Sequence, residues 1–151
     1  MSRPFSLQPL LELMQSRADE ASRTLGKLIA AEQDAKARLT MLEQYRAEYA
    51  EQMRTATLQG LTPLALRNFQ DFLARIDQAI EQQRHAVRQS TQQTISGQEN
   101  WRQQNQRLKA IDTLSHRHEV RERQRENKQE QKLLDEFTTR QFSSLKHEYN
   151  D

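Results

Sequence analysis

The side chains that could support catalysis or bind a metal are few, and their spacing suits neither task. His116 and His118 are the only close histidine pair, and an i, i+2 spacing directs them to different faces of a helix, where they cannot share one metal. There is no cysteine, and the three glycines are isolated, so the sequence contains no phosphate-binding loop, zinc-ligand spacing or nucleophile elbow. We therefore expect no metal, no cofactor and no enzymatic activity of the chain itself.

The charged residues are numerous but nearly balanced. The 23 basic and 21 acidic residues leave a net charge of +2, which argues against nucleic acid or an anionic surface as the main partner. Between Arg121 and Glu126 the two signs alternate, as is typical of a solvated helix face. Because the longest strictly apolar run is residues 28–31, we expect no signal peptide and no membrane span. The cytoplasm is the default location.

The first sixty residues carry a long apolar repeat. Fourteen positions, spaced alternately four and three apart, are apolar except at Glu32 and Arg46. A 3.5-residue repeat of this length specifies a long helix packed along a partner helix. The positions are Leu7, Leu11, Met14, Ala18, Ala21, Leu25, Leu28, Glu32, Ala35, Leu39, Leu42, Arg46, Tyr49 and Met53.

One turn separates this helix from a second. Gly60 has the character of a helix stop, and Thr62 followed by Pro63 suits a helix cap and first turn. The second helix carries a weaker seam, apolar at eight of thirteen positions: Phe69, Leu73, Ile76, Ile80, Gln83, Val87, Ser90, Thr94, Gly97, Trp101, Gln104, Leu108 and Ile111. The sequence therefore predicts an all-α protein, an antiparallel coiled-coil hairpin formed by one domain over residues 1–151. Its parts are helix one (5–57), a turn (58–62), helix two (63–140) and a frayed tail (141–151).

A hairpin folded near Gly60 pairs positions whose numbers add up to about 120. Trp101 then falls opposite Ala18 and Ala21, so that a large side chain faces small ones in the seam. Helix two should overhang helix one by several turns. Gly26 and Gly97 lie inside helices, where we expect bending or fraying.

Two apolar sets have no assigned partner. Phe72 lies beside the seam, and it either wraps over the seam edge or contacts another protein. The second set lies in the overhang and is either part of a frayed tail or a peg that inserts into a partner. It consists of Leu133, Leu134, Phe137, Phe142 and Leu145.

The whole chain resembles a known family. The opening amphipathic helix, the turn at Gly60 with its TxxxxxNFQDFL-like continuation, the tryptophan in NWRQQNQRLKA and the tail QKLLDEF are similar to the flagellar export protein family FliJ. The resemblance implies a stalk-like coiled coil that binds and stimulates the hexameric export ATPase, contacts the membrane export gate and helps recycle export chaperones. It also implies a cytoplasmic location, peripheral at the inner face of the cell membrane at the flagellar base.

The resemblance places the two contacts on specific residues. The gate contact falls on Phe72, Ile76, Ala79 and Gln83, although some family members are expected to have histidine where this chain has Gln83. The ATPase-ring contact falls on Leu10, Leu133, Leu134, Asp135 and Phe137. Two alternatives remain at this point: the equivalent stalk of a virulence-type injection system, and a general coiled-coil adaptor.

Overall fold

The computed structural model describes residues 3–149, and side chains as far as residue 148. It contains two helices, α1 (Gln8–Gln59, 52 residues) and α2 (Pro63–Tyr149, 87 residues), with no strand in this range. The all-α hairpin is thus confirmed. From residue 141, where the sequence predicted a frayed tail, α2 continues as a helix through Tyr149, and fraying of this end stays a prediction. The basic residues Lys146 and His147 lie in the last turn of α2, where a positive charge interacts favourably with the negative end of the helix dipole. Residues 1–2 and 150–151 of the prediction lie outside the described range.

The turn between the helices forms at the predicted residues. Gly60 has φ = +97°, a conformation that glycine adopts at little cost, and its N–H donates to the carbonyl of Thr57 at 3.2 Å. Thr62 caps α2, because its Oγ1 accepts the N–H of Ala65 at 3.2 Å, and Pro63 is the first helical residue. Both helix ends therefore have local partners for backbone groups that the helices leave unpaired.

The structure divides into two compact units. The hairpin unit runs from Asp19 to Gln103, and the terminal unit combines the residues up to Ala18 with those from Gln104 onward. Ala21, Ile76 and Ile80 form the buried apolar core of the hairpin unit. Met14 and Ala18 are the buried apolar residues of the terminal unit.

Burial follows the predicted seams closely. All the seam positions of α1 are buried or half-buried except Leu7 and Arg46, and all those of α2 except Trp101. In the hairpin unit, the Tyr49 and Phe72 rings pack with centroids 4.7 Å apart, and Thr94 Oγ1 donates to the carbonyl of Leu28 at 3.3 Å. The numbers in each pair add up to 121 or 122, which confirms the predicted register to within a residue or two.

Trp101 does not fill the seam as predicted. It is 38% exposed, whereas Ala21 is almost fully buried. One turn away, at Gly97, an added Cβ would lie 2.6 Å from Leu28 Cδ1, so the Leu28 side chain occupies the space beside this glycine. Gly97 is therefore a packing residue, whereas Gly26 has open space where a Cβ would be.

A polar layer crosses the middle of the hairpin unit. Gln83 Nε2 donates to the carbonyl of Ala35 at 2.9 Å, and Thr91 Oγ1 donates to a carboxylate oxygen of Glu32 at 3.0 Å. Thr94, 6% exposed, adds its bond across to α1. Polar contacts at seam positions add less stability than apolar ones, but the bond from Thr91 requires the Glu32 side chain opposite it and so favours a single register.

Glu32 is held as a carboxylate within this layer. Hydrogen bonds from Lys36 first, and then from Thr94 and Thr91, lower the pKa of Glu32 below its ordinary value. Its charge is thus met by donors from its own helix and from α2. The layer combines the Glu32 carboxylate with the Lys36 ammonium and neutral hydroxyl donors and leaves the carboxylate satisfied.

Candidate functional site

Four aromatic residues form a cluster on the hairpin unit. Tyr45 and Tyr49 lie one helical turn apart on α1, and Phe69 and Phe72 lie one turn apart on α2. The Phe72 ring centroid is 4.7 Å from that of Tyr49 and 6.3 Å from that of Tyr45, while Tyr49 and Phe69 are 5.2 Å apart. These separations fit the tilted and edge-to-face arrangements that aromatic rings favour. We call these four residues the aromatic cluster.

Two residues of the aromatic cluster are half-buried in the seam, and the other two are exposed to solvent. Tyr49 and Phe69 are half-buried, whereas Phe72 is 36% and Tyr45 47% exposed. Of the two alternatives for Phe72, the ring does wrap over the seam edge, and it still exposes a third of its surface. It can therefore stabilise the hairpin and contact a partner with different parts of one ring.

The other residues of the predicted gate contact differ in exposure. Ile76 is 5% exposed and belongs to the core, and the side-chain amide of Gln83 donates a hydrogen bond to the carbonyl of Ala35. Ala79 is half-buried. Ile76 and Gln83 occupy seam positions that face α1, as the repeat predicted, and their part in a gate contact stays a prediction. Among the four predicted residues, Phe72 alone combines large size with exposure.

Sequence reasoning missed the contribution of α1 to this surface. Tyr45 is more exposed than Phe72 and lies against it, yet it was not among the predicted contact residues. A signal was present, because Tyr45 lies four residues before the seam residue Tyr49 and so on the same side of the helix. Beside it, Arg46 forms an ion pair with Asp77 of α2 and lowers the pKa of that carboxyl.

A second exposed surface lies at the end of α2, within the terminal unit. Every side chain from residue 127 to residue 148 is exposed. Five large apolar residues in this stretch are 59% to 68% exposed and fall on about one half of the helix circumference, at roughly 100° per residue. We call them the apolar end: Leu133, Leu134, Phe137, Phe142 and Leu145.

The predicted ring-contact residues are not all brought together. Leu133, Leu134 and Phe137 belong to the apolar end, and Asp135 is exposed beside them. Leu10 is half-buried near the start of α1. By the hairpin register it lies level with a point on α2 some 20 residues before Leu133, which corresponds to roughly 30 Å of helix. The structure therefore separates Leu10 from this surface.

The N-terminal segment determines where the unpaired part of α2 begins. The Arg3 N–H donates to Glu122 Oε2 at 3.1 Å, and the Arg3 carbonyl lies 2.8 Å from His118 Nε2. The Phe5 ring packs on the His118 ring with centroids 5.5 Å apart. The Arg3 N–H also lowers the pKa of Glu122. Residues before α1 thus cover α2 as far as about Glu126, and the overhang begins farther along the chain than predicted.

The described residues contain no group of three or more His, Cys, Asp or Glu side chains arranged to hold a metal. Over the same range, neither helix is apolar for long enough to cross a bilayer. The candidate sites described above are partly exposed aromatic and aliphatic patches on two packed helices.

Comparison with known proteins identifies the family of this coiled coil. The family model described as "Flagellar FliJ protein" matches residues 2–146, and the chain belongs to that family. It is 34% identical to the flagellar FliJ protein of Salmonella typhi over 140 residues, covering 93% of this chain and 95% of the relative. It is 32% identical to that of Escherichia coli K12, with the same coverage. The resemblance to FliJ is thus confirmed, and the protein is a flagellar one.

Proposed function

We propose that the protein is a non-enzymatic component of the flagellar protein export apparatus. In this proposal it binds and stimulates the export ATPase hexamer, connects the ATPase with the cytoplasmic part of the membrane export gate, and helps recycle export chaperones. It acts in the cytoplasm, held at the inner face of the cell membrane through the gate. Its membership of the FliJ family supports the flagellar setting.

The observation that carries this proposal is the apolar end. Leu133, Leu134 and Phe137 are each at least 60% exposed. Large side chains left in water in this way mark a surface that a partner covers. Burying each of them is worth roughly 1.5 to 3 kcal/mol. A helix end with one apolar half and one charged half suits a partner surface, such as one side of a ring opening, that covers the apolar half and leaves the charges hydrated.

The aromatic cluster is the proposed gate contact. Phe72 and Tyr45 present partly exposed rings from two different helices, and aromatic residues are enriched among those that dominate binding energy. We assign the gate contact to these two rings, with Ala79 at the edge of the contact. Ile76 and Gln83 support it from within the seam.

Truncation after Asn127 tests the assignment to the ATPase. The truncated chain loses the apolar end but keeps every contact between α1 and α2 described above, so circular dichroism should still show a folded helical hairpin. We expect it to lose stimulation of the purified export ATPase. Leu134→Ala and Phe137→Ala should reduce stimulation individually, whereas Thr139→Ala, on the polar half of the same helix, should not.

The alternative of a general adaptor predicts a different result. An adaptor without an ATPase partner would leave ATPase activity unchanged, whether intact or truncated. If the truncated chain stimulates the ATPase as strongly as the intact chain, the apolar end is not the contact. The proposed function would then depend on a surface elsewhere in the chain.

A further inference from the structure

The turn between the helices presents leucine to solvent. Leu58 is 76% and Leu64 69% exposed, the highest values among the large hydrophobic residues of the described chain, and Leu61 between them is half-buried. Leu58 lies in the last turn of α1 and Leu64 in the first turn of α2, so the two exposed side chains flank the connection between the helices. We call these three residues the leucine turn, and neither proposed contact of the protein includes them.

Local hydrogen bonds hold this turn in one conformation. The backbone reversal is fixed at Gly60 by its positive φ and its bond to Thr57, and at Thr62 by the cap on α2. The hydroxyl of Thr57 also donates to the carbonyl of Met53 at 2.7 Å. The leucines are therefore presented outward by an ordered turn rather than by a frayed loop. An ordered turn of this kind can insert its side chains without first losing conformational entropy.

Charge around the leucine turn has one sign. No carboxylate occurs between Glu51 and Asp71, whereas Arg54 and Arg67 lie on the flanking turns of α1 and α2, both exposed. Arg54 is paired with Glu51, while Arg67 takes part in none of the ion pairs found among the described residues. Arg67 therefore leaves one unbalanced positive charge beside the leucines, although the whole chain is almost neutral.

These features favour a bilayer over a protein as the partner. A stable protein interface buries about 800 Å² on each side, far more than the end of one helical turn offers, and the helix sides around it are polar. A bilayer requires no matching surface: apolar side chains enter the boundary between headgroups and acyl chains, and arginines beside them stay among the phosphates. We infer that the leucine turn inserts into a membrane surface that carries anionic lipids.

This inference goes beyond the proposed function, in which the gate alone holds the protein at the membrane. The depth of insertion is limited, because the backbone groups at the two helix ends must remain hydrogen-bonded and therefore hydrated. Only the leucine side chains enter the apolar region.

Flotation of the full chain with vesicles of phosphatidylcholine and phosphatidylglycerol tests the inference without any other protein present. We expect the intact chain to float with these vesicles. Leu58→Ser combined with Leu64→Ser should reduce partitioning tenfold or more, since each leucine loses most of its transfer free energy. Arg67→Gln should reduce it about fivefold at low salt, as expected for one cation near an anionic surface.

Two control variants separate the turn from other exposed apolar residues. Met41→Ser removes a side chain that is 67% exposed on the side of α1, and Phe137→Ser with Phe142→Ser alters the apolar end. Both should float like the intact chain. The leucine variant should keep its helix content and its ability to stimulate the ATPase, so its failure to float would leave the proposed function intact.

The inference is wrong if the intact chain does not float, or if the leucine variant floats as well as the intact chain. A leucine variant that binds vesicles normally but no longer binds the gate would assign the turn to a protein partner instead.

Discussion

Phe72→Ala is the sharpest test of how this protein combines stability with binding. A fully buried phenylalanine loses about 3 to 5 kcal/mol on truncation to alanine. Phe72 is 36% exposed and packs on Tyr45 and Tyr49, so roughly two thirds of that loss, about 2 to 3 kcal/mol, should apply. This is more than expected for a solvent-facing residue. For a protein of this size it corresponds to a melting temperature lower by roughly 4 to 12 °C.

Ile76→Ala provides a matched control. Ile76 lies one turn along the same helix and is 5% exposed, so its truncation should cost a similar 2 to 5 kcal/mol while removing almost no exposed surface. The two variants should therefore melt at similar temperatures. Binding to the cytoplasmic part of the gate, measured well below both melting temperatures, should fall more than tenfold for Phe72→Ala and little for Ile76→Ala.

Two results would contradict this reasoning. Equal losses of gate binding in both variants would mean that binding reports only the integrity of the hairpin, and no loss in either would move the gate contact away from the aromatic cluster. Tyr45→Ala adds an independent measurement, because Tyr45 is more exposed than Phe72 and should weaken gate binding with a smaller effect on stability.

Three further predictions concern the hairpin itself. Gly26→Ala should raise the free energy of unfolding by about 0.5 to 1 kcal/mol, because alanine has the higher helix propensity. Gly97→Ala should gain less or lose stability, because the new methyl group displaces the Leu28 side chain. Thermal melts of both variants compare the two glycines directly. Because the pKa of Glu32 is lowered in the folded state, its carboxylate stabilises the protein above about pH 4.3, and this contribution is lost as the pH falls through the pKa of the folded state. The stability of Glu32→Gln should therefore differ from that of the parent more at pH 7 than at pH 3. Thr62→Ala removes the cap on α2 and should cost about 1 kcal/mol in urea unfolding, with an unchanged m-value.

The parts of the fold that depend on local sequence were predictable. The 3.5-residue repeat marked the buried side of both helices, and Gly60 with Thr62 and Pro63 marked the turn, because each reflects a property of single residues or of helix periodicity. The register followed from the position of the turn alone, since two helices joined by a tight turn have few ways to align.

The parts that depend on how individual side chains pack were not predictable. Trp101 occupies a seam position in the repeat but is 38% exposed, and the Leu28 side chain occupies the space beside Gly97; periodicity reports neither. The covering of α2 by the N-terminal segment was missed for a related reason. Arg3 bonds through its backbone N–H and carbonyl, which every non-proline residue possesses and which the sequence therefore does not distinguish.

The proposed gate surface depends on the register, because its two exposed rings come from different helices. Phe72 meets Tyr45 only while α1 and α2 keep their alignment, and a slip of one heptad would move the rings about 10 Å apart along the helix axis. An apolar seam of similar side chains resists such a slip weakly, since leucine can replace leucine. The bond from Thr91 to Glu32 resists it more strongly, because a slip of one heptad would place a leucine opposite Thr91 and remove this donor from the carboxylate. The polar layer thus contributes to binding without touching a partner, by keeping the two halves of the gate surface together.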